Sequence, residues 1–461
     1  MVVPLEIRQV PRPKNTVIKK SGSKWAVIER VGCVRKNGSN QPKEGKVIGH
    51  IIDGEFIKKE GIKKEISFKY YGDYELAKSV SQDILSDLKE VYTSDFANHL
   101  YAISLLRSIN PKISYSNLEE TYEESFISNE FQNLKLSKNN ISKFLRSVGL
   151  DYGKALLFIR NRVKKIDYDN RIAIDGMLKN NNSRINSLND FSFKSKIKNS
   201  KNISIIVAFN VSTKDVICSL PYPGNCVDVT SFPYFLEKTG ITKGIVIGDK
   251  AMNNERFANI GFIHPLKRSS KILDKIDAYN MSEKLDDKEN PTWCKKVFYE
   301  DKYYYCFRDV KRAFKEEHDF MSSKKFSKER YDKMKHKFGT IAYVSDQDIA
   351  CQEALNMYKQ RWEIELVNDF YKNTLELDSV KVHDDLSVYA DEFINMLTLI
   401  IGYRIKNKFE DAGLFKTKTY REIMKIFKQY KKVQIPDKPD IWYLTRVAKK
   451  NEEIINKVLY S

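Results

Sequence analysis

Between residues 170 and 252 the sequence divides into short, almost wholly apolar runs, and this feature limits the fold more than any other. The runs are RIAID, ISIIVAFN, DVICSLPYPG and GIVIGDK, and a helix-like segment, DVTSFPYFLEKTG, precedes the last of them. Continuous apolar runs bounded by turns are typical of strands that are buried on both faces. The sequence therefore predicts an α/β fold built on a mixed sheet.

The regions on either side of this core have different hydrophobic patterns. Alternating apolar residues with Gly and Asn between them indicate strands near the N-terminus, and apolar residues recurring at three and four indicate helices after it. WCKKVFY and YYYCFRDVKR predict a hairpin in a long insertion. The predicted regions are a small β-rich N-terminal module at 1–65, a helical region at 66–165, the first part of the core at 166–255, a β-rich insertion domain at 256–345, the second part of the core at 346–410 and a basic helical C-terminal region at 411–461.

The charge of the chain points to a polyanionic partner. The 461 residues carry a formal net charge of +19 at pH 7, and for a chain of this size nucleic acid is the expected polyanion. The longest apolar run, 393–403, is too short to span a bilayer, and no lipidation motif or apolar signal-peptide core is present. We expect a soluble cytoplasmic protein without a membrane partner.

The cysteines are scattered along the chain. No two form a CxxC pair, and no histidine lies at a finger-like spacing from them. This pattern does not predict a structural zinc site and favours a set of reduced thiols. The six are Cys33, Cys218, Cys226, Cys294, Cys306 and Cys351.

The segment YKQRWEIELVNDFYKN carries the most informative side chains. Read as one helix, it places Tyr358, Arg361, Glu365 and Lys372 at roughly 0°, 300°, 340° and 320°, on a single narrow face. Such a face suits a site that holds a metal ion and a phosphate together. Glu363 falls on the far side, whereas Asp369 stays a competitor to Glu365. The alternative is a solvated amphipathic helix with ion pairs on its surface.

Two further acids close apolar strands. Asp175 ends RIAID and Asp249 ends GIVIGD, and side chains at strand ends emerge into clefts. The alternative for each is a turn residue or helix cap. If both meet Glu365, their charges need a divalent cation, and oxygen ligands favour Mg²⁺, with Mn²⁺ as a possible substitute. The pattern predicts phosphodiester chemistry with two ions about 3.5–4 Å apart.

These residues resemble a known family. AIDG at 173–176, VIGDKA at 246–251 and the Y-x2-R-x3-E-x6-K pattern at 358–372 are similar to the DDE transposases of bacterial insertion sequences, in the branch with the Y-R-E-K helix. The resemblance implies an RNase H-like core with a β-strand insertion between the second Asp and the Glu. It further implies that Asp175, Asp249 and Glu365 bind metal, and that Tyr358, Arg361 and Lys372 hold phosphates.

Three residues of the insertion are weaker candidates for DNA contact. Trp293 opens the hairpin, where related enzymes stack an aromatic on a flipped base; packing against the apolar face of the hairpin is the alternative. Lys267 and Arg268 follow a short apolar run and would contact the DNA backbone, with a plain surface loop as the alternative.

The expected function is that of a DNA transposase. It would bind the ends of its mobile element through 1–165, then cleave and join DNA phosphodiesters in a homodimer that pairs two ends, associated with the bacterial nucleoid. Element ends and target DNA are the expected partners, and no nucleotide cofactor is expected because no Gly-rich phosphate loop is present. The alternatives are an RNase H-like nuclease without strand transfer and a catalytically decayed DNA-binding protein.

Overall fold

The computed structural model divides the chain into two compact units. It describes residues 3–36, 38–59, 66–183, 185–195, 197, 200–249, 260–285, 290–324, 326–435 and 438–460. One unit is Met1–Ser67 with Gln434–Trp442, and the other is Phe68–Val433 with Tyr443–Ser461. The predicted region boundaries at 65, 255 and 256 fall outside the described residues.

The first unit contains a four-stranded antiparallel sheet. Val27 and Ile51 are buried on one face of it, together with Val10 and Ile18. Gly22 has a φ of +59° in the two-residue turn between the first two strands, a conformation that glycine adopts without strain. The elements are α1 (Leu5–Gln9), β1 (Thr16–Ser21), β2 (Lys24–Lys36), β3 (Ser39–Ile52) and β4 (Glu55–Lys58).

The second unit begins with helices. β5 (Ser67–Tyr70) spans the boundary between the units. Most residues of the longest of these helices, α4, are buried, so its packing rather than an exposed surface explains its apolar sequence. The helices are α2 (Gly72–Ser79), α3 (Gln82–Lys89), α4 (Ser94–Ile109), α5 (Leu118–Glu124), α6 (Ile127–Glu130), α7 (Lys138–Leu150) and α8 (Tyr152–Val163).

The core sheet follows the apolar runs of the sequence. β8 pairs antiparallel with β6 and β9, β10 runs parallel to β6, and β11 runs parallel to β10. The order β9-β8-β6-β10-β11 is that of an RNase H-like core, and the predicted α/β class with a mixed sheet is confirmed. The elements are β6 (Arg171–Asn180), β7 (Asp190–Phe191), β8 (Lys201–Asn210), β9 (Asp215–Pro223), α9 (Asp228–Thr239), β10 (Ile245–Ile247) and β11 (Gly261–Pro265).

The strands of the insertion extend the same sheet. β15 pairs antiparallel with β11 on one side and with β14 on the other. Among the described residues the sheet has ten strands. The predicted hairpin is formed by β13 and β14. β11 lies within the predicted insertion range, yet it pairs with β10 as part of the core. The elements are α10 (Lys271–Lys275), β12 (Glu283–Lys284), β13 (Thr292–Tyr299), β14 (Lys302–Asp309), α11 (Val310–Met321), α12 (Lys328–Met334) and β15 (Thr340–Ser345).

Helices complete the second unit. The long helix α15 is buried over most of its length, and the Asp384 side chain caps its first turn by accepting a hydrogen bond from Ser387 N. Among the described residues, no helix is both long and apolar enough to cross a membrane. The helices are α13 (Cys351–Lys359), α14 (Trp362–Asp369), α15 (Asp385–Asp411), α16 (Tyr420–Lys428) and α17 (Lys449–Leu459). The predicted helical C-terminal region also contains two strands, β16 (Lys431–Ile435) and β17 (Lys438–Leu444), and Gln434–Trp442 belongs to the first unit.

Candidate active site

Asp175 lies on β6, and Asp249 follows the neighbouring strand β10. Asp175 is in the middle of β6, so the expectation that it ends its strand is wrong. The side chains of Met177 and Lys179 alternate into the buried face, and pairing with β8 continues to the end of β6. Asp249 follows β10 by two residues. Ile247 pairs with Ala173, and this parallel register, continued for two residues, predicts Asp249 next to Asp175.

Helix α14 brings Glu365 to the same place. Asn368, three residues after Glu365, donates a hydrogen bond of 2.9 Å from its Nδ2 to Asp175 Oδ2. Arg361 Nη2 lies 2.9 Å from Glu365 Oε1. The described contacts therefore hold the segment that carries Glu365 against Asp175 and place a guanidinium beside Glu365.

The segment that carries these side chains is not one regular helix. α13 ends before Gln360, and bonds from Arg361 N to the Tyr358 carbonyl and from Ile364 N to the Arg361 carbonyl span only three residues. After α14 the chain forms a π-helical turn at Phe370–Thr374. The wheel angles that assumed a single α-helix are therefore wrong across both joins, although they hold within α14. π-helical turns occur often at functional sites.

Electrostatic interactions connect the acids. Burial raises the pKa of Asp175; the Arg361 guanidinium and the Gly176 N–H oppose this effect, and the charge of Glu365 adds to it. Burial also raises the pKa of Tyr358, with contributions from Asp249 and Glu365. Tyr358 thus shares its surroundings with two of the acids, and its ring stacks on Tyr343 with 4.3 Å between centroids.

The competing acids of this segment have other neighbours. Burial raises the pKa of Glu363, which interacts with Lys214 and Lys406 rather than with the strand acids. Asp369 is exposed and accepts a hydrogen bond from Asn373 Nδ2. These contacts favour Glu365 as the third acid of the site.

A buried ionic network lies behind the acids. Lys179, on β6, hydrogen-bonds Glu392 and donates to the Tyr371 hydroxyl at 3.2 Å, and that hydroxyl donates to Glu392 Oε2 at 2.9 Å. Arg107 donates to Asp391 Oδ1 at 3.1 Å. The side chains of these charged residues are at most 5% exposed. Because a buried charge without a partner is strongly destabilising, each charge depends on the opposite charge beside it. Sequence spacing does not indicate this network, because its members are far apart in the chain.

Lys372 lies in the π-helical turn directly after Tyr371 and is half-buried. The hydrogen bonds of the Tyr371 hydroxyl anchor this turn to β6 and α15. The position of Lys372 therefore depends on the buried network as well as on its own helix.

The candidate DNA contacts of the insertion differ in their environments. Trp293 is 40% exposed on β13, and Lys267 is exposed. Arg268 instead forms a bidentate ion pair with Glu316, at 2.7 and 2.8 Å, and donates to the Thr340 carbonyl at 2.6 Å. Its guanidinium therefore has a structural role.

Two groups of possible metal ligands differ in the distances between their ligand atoms. In the part of the chain that the structure describes, one group of three such side chains has all its ligand atoms within 4.8 Å of one another: Glu283, Cys294 and Cys351. The three acids of the candidate active site are more widely spaced. Their oxygens are ligands that Mg²⁺ prefers, and like charges stay apart until a cation lies between them.

Comparison with known proteins supports a DNA transposase. The model of the family described as "Transposase DDE domain" matches residues 182–401, slightly less than half of the chain. This stretch contains Asp249 and Glu365 and begins after Asp175. No curated protein matches the chain.

One solved structure with partial similarity is the cryo-EM structure of a piggyBac transposase synaptic complex with hairpin DNA. The alignment has 10% sequence identity and a TM-score of 0.39, and it covers 78% of this chain and 79% of that chain. These values are too low to carry a functional argument. The support for a transposase therefore comes from the family match.

Proposed function

We propose that this chain is a DNA transposase of the bacterial insertion-sequence type, in the branch with the Y-R-E-K helix. It binds the ends of its own element, cleaves DNA there and joins the ends to target DNA. The observation that carries the proposal is the approach of Glu365 to Asp175 on β6, with Asp249 two residues beyond the neighbouring parallel strand β10, within a chain that matches a transposase domain.

Asp175, Asp249 and Glu365 would hold the divalent ions. All three offer carboxylate oxygens, which fit Mg²⁺ and accept Mn²⁺. A pair of such ions supplies activation of the attacking oxygen and stabilisation of the leaving oxygen. Glu365 Oε1 is ion-paired with Arg361, and the carboxylate would offer its oxygens to a cation. Arg361 would be positioned beside the ions as a fork for a phosphate.

The DNA is proposed to contact Tyr358, Arg361 and Lys372 through its phosphates. The net charge of +19 supports binding to the DNA backbone. Trp293 and Lys267 are exposed and are retained as proposed DNA contacts in the insertion. Arg268 is a weaker candidate because Glu316 already occupies its guanidinium.

We propose that residues 1–165 recognise the element ends and that two copies of the chain pair two ends in a homodimer. A fragment of residues 166–461 that still selected the cognate ends would contradict the first part. Sedimentation of the full chain on paired end DNA tests the second part, and a single copy per joined pair of ends would contradict it.

The full reaction tests the proposed function. Purified protein is incubated with Mg²⁺, labelled element ends and a target plasmid, and the products are separated on a denaturing gel. Joined products are expected for a transposase. Cleavage without joining would instead identify a nuclease, and binding without cleavage a decayed DNA-binding protein.

A further inference from the structure

A second group of potential metal ligands lies away from the candidate active site. Glu283 on β12 pairs directly with Cys294 on β13, and directly opposed residues project their side chains to the same face of a sheet. Cys294 Sγ lies 3.9 Å from Glu283 Oε2. Cys351, the first residue of α13, completes the group, in which the three ligand atoms all lie within 4.8 Å of one another.

We propose that Glu283, Cys294 and Cys351 form a binding site for a thiophilic divalent ion, with Zn²⁺ as the expected ion. Thiolate sulfur selects zinc over magnesium. Three protein ligands with a fourth position left to water is a known zinc arrangement. This site goes beyond the proposed function and does not depend on it.

The burial of the group fits this role. Cys294 is fully buried and Cys351 is 7% exposed, whereas Glu283 is exposed. The two sulfurs therefore form the buried side of the site. The carboxylate lies on the solvent-accessible side, from which an ion and a water molecule would enter. Cys351 also begins a nine-residue helix. Burial raises the pKa of both thiols, so a bound ion would take the place of their protons.

The segment before Cys351 is held in place by the sheet. The Tyr305 hydroxyl, on β14, donates to the Gln347 carbonyl at 2.6 Å and accepts from Ile349 N at 2.9 Å. Lys296, on β13, forms an ion pair with Asp348. Ligands whose backbone is fixed in this way are preorganised for binding. Sequence spacing could not indicate the site, because Cys351 lies far from the other two ligands.

A bound metal ion would link two parts of the second unit. Cys294 belongs to the insertion strands, and Cys351 begins the helix that ends at Lys359. Tyr358 lies near that end. An ion at the site would therefore fix α13, and with it the position of Tyr358, against the insertion.

Titration with Co²⁺, a spectroscopic substitute for Zn²⁺, tests the site on the full chain. The reduced protein is freed of metal by chelation, and the thiolate-to-cobalt charge-transfer absorption is recorded as Co²⁺ is added. One equivalent is expected to give this absorption, and added Zn²⁺ is expected to remove it. The same titration of Asp249→Ala should be unchanged, because the band reports sulfur ligands and not the carboxylate site.

Matched variants assign the ligands. Cys294→Ala and Cys351→Ala should lose the absorption, whereas Cys218→Ala, which removes a buried thiol elsewhere, should retain it. Glu283→Gln changes an exposed side chain and leaves the fold intact; it should weaken Co²⁺ affinity by about tenfold or more, and Glu300→Gln should not. The proposal is overturned if the reduced protein takes up Co²⁺ without the sulfur band, or if Glu283→Gln binds as tightly as the parent. It is also overturned if the two cysteines form only a disulfide and the reduced form binds no metal.

Discussion

Asn368 and Asp175 are joined by a hydrogen bond of 2.9 Å from Nδ2 to Oδ2. The bond connects α14, which carries Glu365, to the central strand β6. Asn368 is only 9% exposed, so water does not readily replace it as a partner. It is therefore a positioning residue for the acids, and a wheel drawn over α14 alone would place it on the same face as Glu365.

Asn368→Ala should lower the rate of DNA cleavage without removing it. Loss of the bond frees the Asp175 carboxylate, and residues that orient a metal ligand typically contribute about 10–100-fold. Single-turnover cleavage should be measured over a range of Mg²⁺ concentrations. The variant should bind Mg²⁺ more weakly and therefore reach half of its maximal rate at a higher Mg²⁺ concentration. Asn373→Ala, on the exposed side of the same segment, is the control. An unchanged rate and Mg²⁺ dependence in Asn368→Ala would contradict the positioning role.

Removal of any of the three acids should abolish cleavage. Asp175→Ala, Asp249→Ala and Glu365→Ala each delete a proposed ligand of the catalytic ions but leave the basic residues that are proposed to contact DNA. Gel-shift and cleavage assays on the same end DNA separate the two effects, and binding should persist.

Glu363→Ala and Asp369→Ala are the matched controls for Glu365→Ala. Both remove an acid from the same segment, but the described contacts direct them to other neighbours, so cleavage should continue. Cleavage by Glu365→Ala together with its loss in Asp369→Ala would show that the third ligand is Asp369.

DNA binding should weaken steeply with salt, because cations that contact phosphates release counterions. Lys372→Ala should reduce the slope of log K against log salt by about one. The affinities are measured by fluorescence anisotropy at several salt concentrations. Lys406→Ala is the control, because Lys406 is on α15, outside the segment proposed to contact DNA; an equal change in both variants would argue against a phosphate contact at Lys372.

The buried network should be sensitive to loss of one charge. Lys179→Met leaves Glu392 without its cation in a site that is 2% exposed, and such uncompensated charges cost about 3–5 kcal/mol. The free energy of unfolding is measured with urea. The double variant Lys179→Met/Glu392→Gln should recover part of the loss, and additive losses would show that the two charges do not interact.

Glu316 should make folding sensitive to acid. Burial acts to raise its pKa, but hydrogen bonds from Arg268 and Arg312 and from Gly339 N lower it from 4.5 to about 2. A lowered carboxylate pKa adds stability that is present above 4.5 and is lost as pH falls towards about 2. The free energy of unfolding of the parent, measured with urea, should therefore fall more steeply than that of Glu316→Gln as the pH is lowered through this window. Parallel curves for the two proteins would contradict the assignment.

The sequence predicted the core well because burial on both faces leaves a direct record in apolar runs. It predicted the wrong end for β6, since Asp175 and Gly176 interrupt the apolar pattern without ending the pairing. It also treated 358–372 as one helix, because the joins at Gln360 and in the π-helical turn depend on tertiary contacts and not on local propensity.

The candidate site was predictable to a different extent. Residues that lie within one short segment, such as Arg361 and Glu365, could be related by helical spacing. The Lys179 network and the two cysteines of the proposed zinc site could not, because only the folded sheet brings their distant segments together.

The position of β15 limits how this protein can be shortened. β15 pairs with β11, so excising the whole insertion up to and including β15 would leave β11 with a bare row of amide and carbonyl groups, the kind of edge that recruits other chains. A trimmed variant that keeps β15 but removes the hairpin would transfer this exposure to β15 itself. A shortened variant of this protein therefore needs another strand that covers the new edge of the sheet, or charged residues along that edge.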